Sequence, residues 1–334
     1  MPVTIRSFAK INLGLCIGAV RPDGFHELRT IYQTIGLYDI LKLEVTRGSG
    51  IEIHSHDPRV PTDDSNTCYR ILDLGMAALK AKGKVVLDID KRLPVQGGLG
   101  GASGNAVAAL GALERALKKQ LPGTERLRIA AEVGSDLPLF LVGGTILGLG
   151  RGEEVYPLPD LPTTLCVLAT PEIGVSTPKA FADWDLQVAG SEGPGDTKLT
   201  VPARSDKIQE FGRVLSAWLS GGSTKKTGRS SSGVPAKGRG RAETQLLDLV
   251  RTGIANDFEK VVFPKYPELR DVKRVLERSG AAYASLSGSG SAVYGLFPSR
   301  TKAEQAVRRL EKAGVPARLT TTLTRLEYWK KLSN

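Results

Sequence analysis

The segment Pro94-Val-Gln-Gly-Gly-Leu-Gly-Gly-Ala-Ser-Gly-Asn105 constrains this chain more than any other stretch. Five of the eight positions from 97 to 104 are glycine (97, 98, 100, 101 and 104), and an alanine-rich run with helical spacing follows. Without Cβ atoms such a loop reaches positive φ and brings its N–H groups against a ligand. At a helix start those N–H groups also carry the positive end of the macrodipole, which suits phosphate. Val107, Leu110, Leu113, Ala116 and Leu117 keep to one face, so a helix is expected over 103–119, with Ser103 at its N-cap. The loop has no lysine after its last glycine, so it is not a P-loop, and it lacks the context of a dinucleotide fold. By itself it also fits a helix start packed tightly on a strand.

Other local signals organise the rest. Residues 1–20 read as a strand pair, and Leu41–Thr46, Ile51–His54 and Lys84–Ile89 read as further strands. Caps around Asp64–Thr67 predict a helix reaching Lys82 and stopping at Gly83; another spans 124–134. Residues 143–150 form a tight strand region, and Leu165–Thr170 opens a second domain near 160. Helices follow near 205–219, 243–259, 267–279 and 301–313, the last with a capping box at Thr301–Glu304 and a stop at Gly314. Strands at 283–286 and 292–297 flank Ser287-Gly-Ser-Gly-Ser291.

Length and charge bound the function. At 334 residues two domains are expected, 1–160 and 161–334. No apolar run reaches the ~18 residues of a membrane span, and no signal peptide is evident, which predicts a cytoplasmic protein. Cys16, Cys68 and Cys166 are isolated, giving neither a disulfide framework nor a zinc site, and no metal-ligating residue is assigned. Of the net charge of +11, six units lie in 221–242, which has no acidic residue. Residues 220–242 lack periodicity and large apolar residues and read as a disordered insertion. The remainder is mildly basic, which suits anionic substrates and does not demand a nucleic acid. Monomer and homodimer both stay open.

Four further features carry chemistry. Lys10, in Ala9-Lys-Ile-Asn12-Leu, is a lysine in an apolar strand pair and needs either solvent or a partner. Asp136, in Gly134-Ser-Asp-Leu-Pro138, reads equally as a helix N-cap or a functional carboxylate. His26 follows Phe25 in a turn, and a lone histidine is often structural. The 287–291 loop alone would pass for a hairpin turn.

Together and in this order, these motifs resemble the GHMP kinases, the superfamily of galactokinase, homoserine, mevalonate and phosphomevalonate kinases. Gly174-Val-Ser-Thr-Pro-Lys-Ala-Phe181, Asn256-Asp-Phe-Glu259 and the 287–290 loop extend the likeness over nearly the whole chain outside 220–242. The resemblance implies an α+β fold (an α/β sandwich) of two domains, one like ribosomal protein S5 and one ferredoxin-like. It implies transfer of phosphate from ATP, with Mg²⁺, to a hydroxyl of a cytidine-diphosphate-linked polyol in isoprenoid precursor synthesis. It puts ATP on Pro94, Gly97, Gly98, Leu99, Gly100, Gly101, Ala102, Ser103, Gly104 and Asn105, and makes Asp136 the base beside Lys10. Substrate would meet Asn12, Phe25, His26, Ser176, Thr177, Phe181, Ser287, Gly288, Ser289 and Gly290, with Phe25 and Phe181 sandwiching the cytosine. The chain departs from the family pattern at Gly104, where a second serine is usual, and at Phe25, where tyrosine is usual. The rivals are a homoserine- or mevalonate-type GHMP kinase, a catalytically dead relative that only binds, and a basic nucleic-acid-binding protein.

Overall fold

The computed structural model describes residues 2–95, 97–190 and 255–332. The expected helix at 205–219, the insertion 220–242 and most of the helix at 243–259 lie outside the described residues.

Residues 1–20 form one strand, β1 (Val3–Val20), rather than a strand pair. Breaks in its alternation are bulges at Phe8/Ala9, Asn12/Gly14 and Ile17/Val20, where the chain shifts register against β2 (His26–Thr46) without turning. The turn lies at Arg21–Phe25: Asp23 accepts from the Phe25 N–H, Arg21 N–H donates to the Phe25 carbonyl, and Gly24 has φ +83°. Of β2, the sequence exposed only the last six residues. Its first part buries Thr30, Gln33, Thr34 and Asp39, which hides the apolar pattern a buried strand ordinarily shows.

Around this ribbon a sheet is built in the order β3 (Ile51–Ser55), β4 (Lys84–Asp90), β2, β5 (Thr145–Leu149), β6 (Glu154–Pro157), with β1 pairing β2. Helices α1 (Thr67–Ala78), α2 (Gly101–Leu117), α3 (Gly123–Val133) and α4 (Leu137–Val142) complete the layer. In α2, Ala106, Ala108, Ala109 and Ala112 are buried, and their small side chains let the helix lie close to β1.

The second sheet has the order β10 (Ala317–Thr321), β7 (Leu165–Ala169), β9 (Val293–Phe297), β8 (Tyr283–Leu286), all antiparallel. Helices α5 (Thr177–Gly190), α6 (Glu259–Lys265) and α7 (Pro267–Arg278) separate β7 from β8, and α8 (Arg300–Lys312) separates β9 from β10. This is the split βαβ arrangement of ferredoxin-like folds. A third apolar cluster joins the sheets, with Ile11, Leu13 and Ile31 against Cys166, Leu168 and Tyr294. The last helix, α9 (Arg325–Leu332), returns to the first layer, where Tyr328 and Leu332 enter its core.

Several helix ends differ from expectation. Helix α1 stops at Leu79, with Lys80 at φ +47°, and Gly83 instead leads into β4. Helix α2 begins at Gly101 because Gly100, at φ +66°, supplies the N-cap; Ser103 sits inside the first turn. Helix α8 is entered from Ser299, so Thr301 is not its cap. Residues 255–258 are loop, and a helix starts at Glu259. Burial pushes the Cys68 and Cys166 thiols up to about 12, and both pack as small apolar side chains. Among the described residues no helix is long and apolar enough to cross a membrane.

Candidate active site between two interlocked glycine loops

The glycine loop is laid directly on β1: the Lys10 N–H donates to the Leu99 carbonyl (3.0 Å). A Cβ on Gly100 would stand 2.9 Å from Phe140 Cζ and 3.1 Å from Lys10 Cγ, closer than side chains pack. At Gly104 it would meet the Phe8 carbonyl and Ser7 Oγ, both at 2.9 Å. Glycine at this departure from the family pattern therefore brings α2 against β1, and the neighbouring Ser7 Oγ has no hydrogen-bond partner.

The loop's entry is held by a carboxylate the sequence reading missed. Asp39, fully buried, accepts from Lys91 Nζ (2.6 Å) and from the N–H groups of Arg92 and Leu93 (2.7 Å each). Lys91 Nζ is 3.1 Å from where a Gly101 Cβ would lie, so a lysine stands over the start of α2. It arrives from the end of β4 instead of from the loop, which is why no P-loop motif announced it. A cavity of about 350 Å³ opens here, lined by Arg59, Asn66, Lys91, Ser103, Asn105 and the loop backbone.

Beside the cavity lies a buried polar chain. Lys10, whose side chain is 4% exposed, has Nζ 3.4 Å from Asp136 Oδ2 and donates to Asn12 Oδ1 (2.8 Å). Asn12 Nδ2 donates to Thr30 Oγ1 (2.8 Å), which donates to the Gly14 carbonyl (2.8 Å). Asp136 accepts from the Tyr32 hydroxyl (3.1 Å) and keeps its side chain 35% exposed. It makes no capping bond to α4. Burial first, and then the Asp136 charge, push the Tyr32 hydroxyl far above its ordinary range, so it stays a protonated donor. Tyr32 and Thr30 escaped the sequence reading because β2 did.

The 287–291 loop closes on the first. Ser287 Oγ donates to the Gly98 carbonyl (2.9 Å) and the Ala292 N–H to the Gly97 carbonyl (3.2 Å). The Ser289 and Thr177 hydroxyls meet at 2.8 Å, and Ser176 accepts the Ala180 N–H at the start of α5. Asn256 ties this loop to β1. Its Nδ2 donates to the carbonyls of Leu286 (2.9 Å) and Gly288 (2.7 Å), while its backbone bridges Leu15. Asn256→Ala breaks both bonds inside a buried site and is expected to destabilise the fold by about 1–3 kcal/mol, measured by urea unfolding; an unchanged midpoint would refute the clip.

The aromatic residues lie at the far end of β2. Phe25 is 52% exposed with the Arg151 guanidinium 4.9 Å above its ring. His26 stacks on Phe181 (4.8 Å between centroids) and its Nε2 meets Asp185 Oδ1 at 2.8 Å. Each ring thus already has a neighbour, Arg151 on Phe25 and His26 on Phe181.

Among the described residues no group of three or more His, Cys, Asp or Glu side chains could hold a metal ion. A Mg²⁺ carried on phosphates needs only one or two protein oxygens. Asn105 fits that demand: its Oδ1 is buried, borders the cavity and has no hydrogen-bond partner.

Residues 66–144 match the family described as GHMP kinases N terminal domain, and residues 241–316 that described as GHMP kinases C terminal. The fold is thus of the GHMP kinase class. The 4-diphosphocytidyl-2-C-methyl-D-erythritol kinase of Solibacter usitatus is 38% identical over 92% of this chain and 84% of its own length. That of Acaryochloris marina is 36% identical over 93% and 92%. A crystal structure of 4-(cytidine 5'-diphospho)-2C-methyl-D-erythritol kinase superposes with TM-score 0.67 at 28% identity, covering 96% of this chain and 99% of that one. The chain belongs to the 4-diphosphocytidyl-2-C-methyl-D-erythritol kinase family, and is an enzyme that passes phosphate to an alcohol.

Proposed function

We propose that this chain transfers the γ-phosphate of ATP to the C2 hydroxyl of 4-diphosphocytidyl-2-C-methyl-D-erythritol, giving the 2-phosphate and ADP in non-mevalonate isoprenoid precursor synthesis. The observation that carries the reaction is the buried Lys10 paired with a half-exposed Asp136 beside a glycine-rich helix start.

Phosphoryl transfer depends mostly on positioning and charge neutralisation. The backbone of 97–101 and the N-terminus of α2 hold the phosphates, with Lys91 above them. Asp136 takes the proton of the attacking hydroxyl. Lys10 keeps that carboxylate ionised and counters charge on the transferring group, while Tyr32 fixes the other carboxylate oxygen. Asn12 and Thr30 set the direction of the Lys10 ammonium. Ser103 and Asn105 would hold Mg²⁺, which would supply neutralisation of the phosphate charge. Phe25, His26 and Phe181 receive the cytosine, and Ser176, Thr177 and the 287–290 loop flank the polyol. We assign 1–160 to the ATP-binding domain and 161–334 to the C-terminal domain.

The test is ADP release with Mg²⁺–ATP and three acceptors: the cytidine-linked polyol, homoserine and mevalonate. Turnover confined to the first is expected. A preference for homoserine or mevalonate overturns the substrate assignment and keeps the kinase.

A further inference from the structure

Resting on that substrate reading, we infer that Arg151 is the residue that recognises the diphosphate of the nucleotide-linked substrate, placed between the base end and the reacting end of the site.

The two ends are set by one strand. His26 and Tyr32 are six residues apart on β2 and share a face, which separates them by roughly 20 Å. A nucleoside-diphosphate-linked polyol with its base at Phe25 and His26 and its hydroxyl at Asp136 must lay its two phosphates along this interval. The loop after β5 runs beside it. Leu28 N–H donates to the Gly150 carbonyl (2.6 Å), and Gly152 is packed so closely that a Cβ there would collide with the Tyr32 hydroxyl. That imagined Cβ would also lie 3.9 Å from Asp136 Oδ1. Arg151 therefore stands one residue from the reacting end, while its guanidinium reaches over Phe25 at the base end.

Its charge is only partly committed there: after the Phe25 N–H and Arg21, it helps from a distance to hold the Asp23 carboxylate low. Arg21, the other cation near Phe25, is engaged by Asp23 (3.3 Å) and Glu27 (3.0 Å). Arg151 gives only Nε to a carboxylate, Glu153 Oε1 at 3.3 Å, and its backbone N–H to Glu153 Oε2. Its two Nη groups make no hydrogen bond among the described residues, and the side chain is 30% exposed. With Nε engaged, the edge formed by the two Nη groups is left open, and such a planar edge matches phosphate oxygens bidentately. The sequence hid this role because Arg151 sits 126 positions from the phenylalanine it covers.

The experiment compares CDP with cytidine, titrated calorimetrically into the full-length protein, for wild type, Arg151→Met and Arg151→Lys. Methionine keeps an apolar stem over Phe25 and removes the charge. Wild type is expected to prefer CDP, and Arg151→Met to lose about ten- to a hundred-fold of CDP affinity with cytidine affinity unchanged. Arg151→Lys should recover part of the preference. Equal losses for both ligands, or an unchanged CDP-to-cytidine ratio, overturn the inference and reduce Arg151 to a clamp on Phe25 or a bystander. A wild type that binds neither ligand overturns the substrate reading itself, and this inference with it.

Discussion

Asp136→Asn is expected to lower kcat by ~10²–10⁴-fold, the scale on which a positioned proton acceptor acts, with the fold unchanged. The amide keeps the shape of the carboxylate and can still accept from Tyr32, but it cannot take the proton of an attacking hydroxyl. Some stability is lost with the charge. Lys10, 4% exposed, loses this ion pair and keeps Asn12 Oδ1, so the melting temperature is expected to fall while the transition stays cooperative, and kcat is read well below the melt. Lys10→Ala is expected to fall at least ~10²-fold in kcat by removing the other half of the same unit. The double variant should then lose much less than the product of the two, because residues that act together are not additive. Steady-state ADP release with a thermal melt on each variant decides it. An Asp136→Asn enzyme within ten-fold of wild-type kcat would sink the assignment.

Local chemistry explains which parts of this site could be read in advance. The glycine loop, the strand lysine, the helix-start aspartate and the Ser-Gly-Ser-Gly loop each break a local rule, and the structure brings Lys10 within 3.4 Å of Asp136. Helix α7 (Pro267–Arg278), with an apolar face and a proline start, was equally legible. What escaped was settled by distant partners. The first part of β2 looks too polar to be buried, yet Gln33 donates to the Leu323 carbonyl (2.8 Å) and accepts from Thr145 (2.7 Å). Asp39 is satisfied by Lys91, far along the chain. Such satisfaction makes burial affordable, and no window of neighbouring residues reveals it. Tyr32 was lost with its strand. The start of α2 is hidden for a different reason: no side-chain hydroxyl caps it, and Gly100 in a left-handed conformation occupies the cap position instead.

Gly98→Ala is expected to destabilise the chain by about 2–4 kcal/mol and to raise the KM for ATP at least ~10-fold, because Gly98 is where the two loops interlock. Its φ of +71° alone costs a residue with a Cβ roughly 1–3 kcal/mol. The new methyl would also collide with the Ser287 carbonyl oxygen and stand 3.2 Å from that of Gly290. The Ser287 oxygen cannot retreat freely, since it accepts the Gly290 N–H, Ser287 Oγ holds the Gly98 carbonyl and Asn256 holds the carbonyls on both sides of Ser287. The strain is therefore relieved by moving the 97–100 backbone, which carries the N–H groups proposed to hold the phosphates and rests on Lys10 through Leu99. Gly97→Ala is the control one residue away. There a Cβ meets Pro94 and Leu99 at 3.5 Å and beyond, ordinary contact at an ordinary φ. That variant should keep stability within about 1 kcal/mol and ATP KM within a few-fold. Urea unfolding and ATP titration of both variants separate the outcomes. If Gly98→Ala behaves like Gly97→Ala, the loops are merely neighbours, and the phosphate cradle does not depend on their engagement.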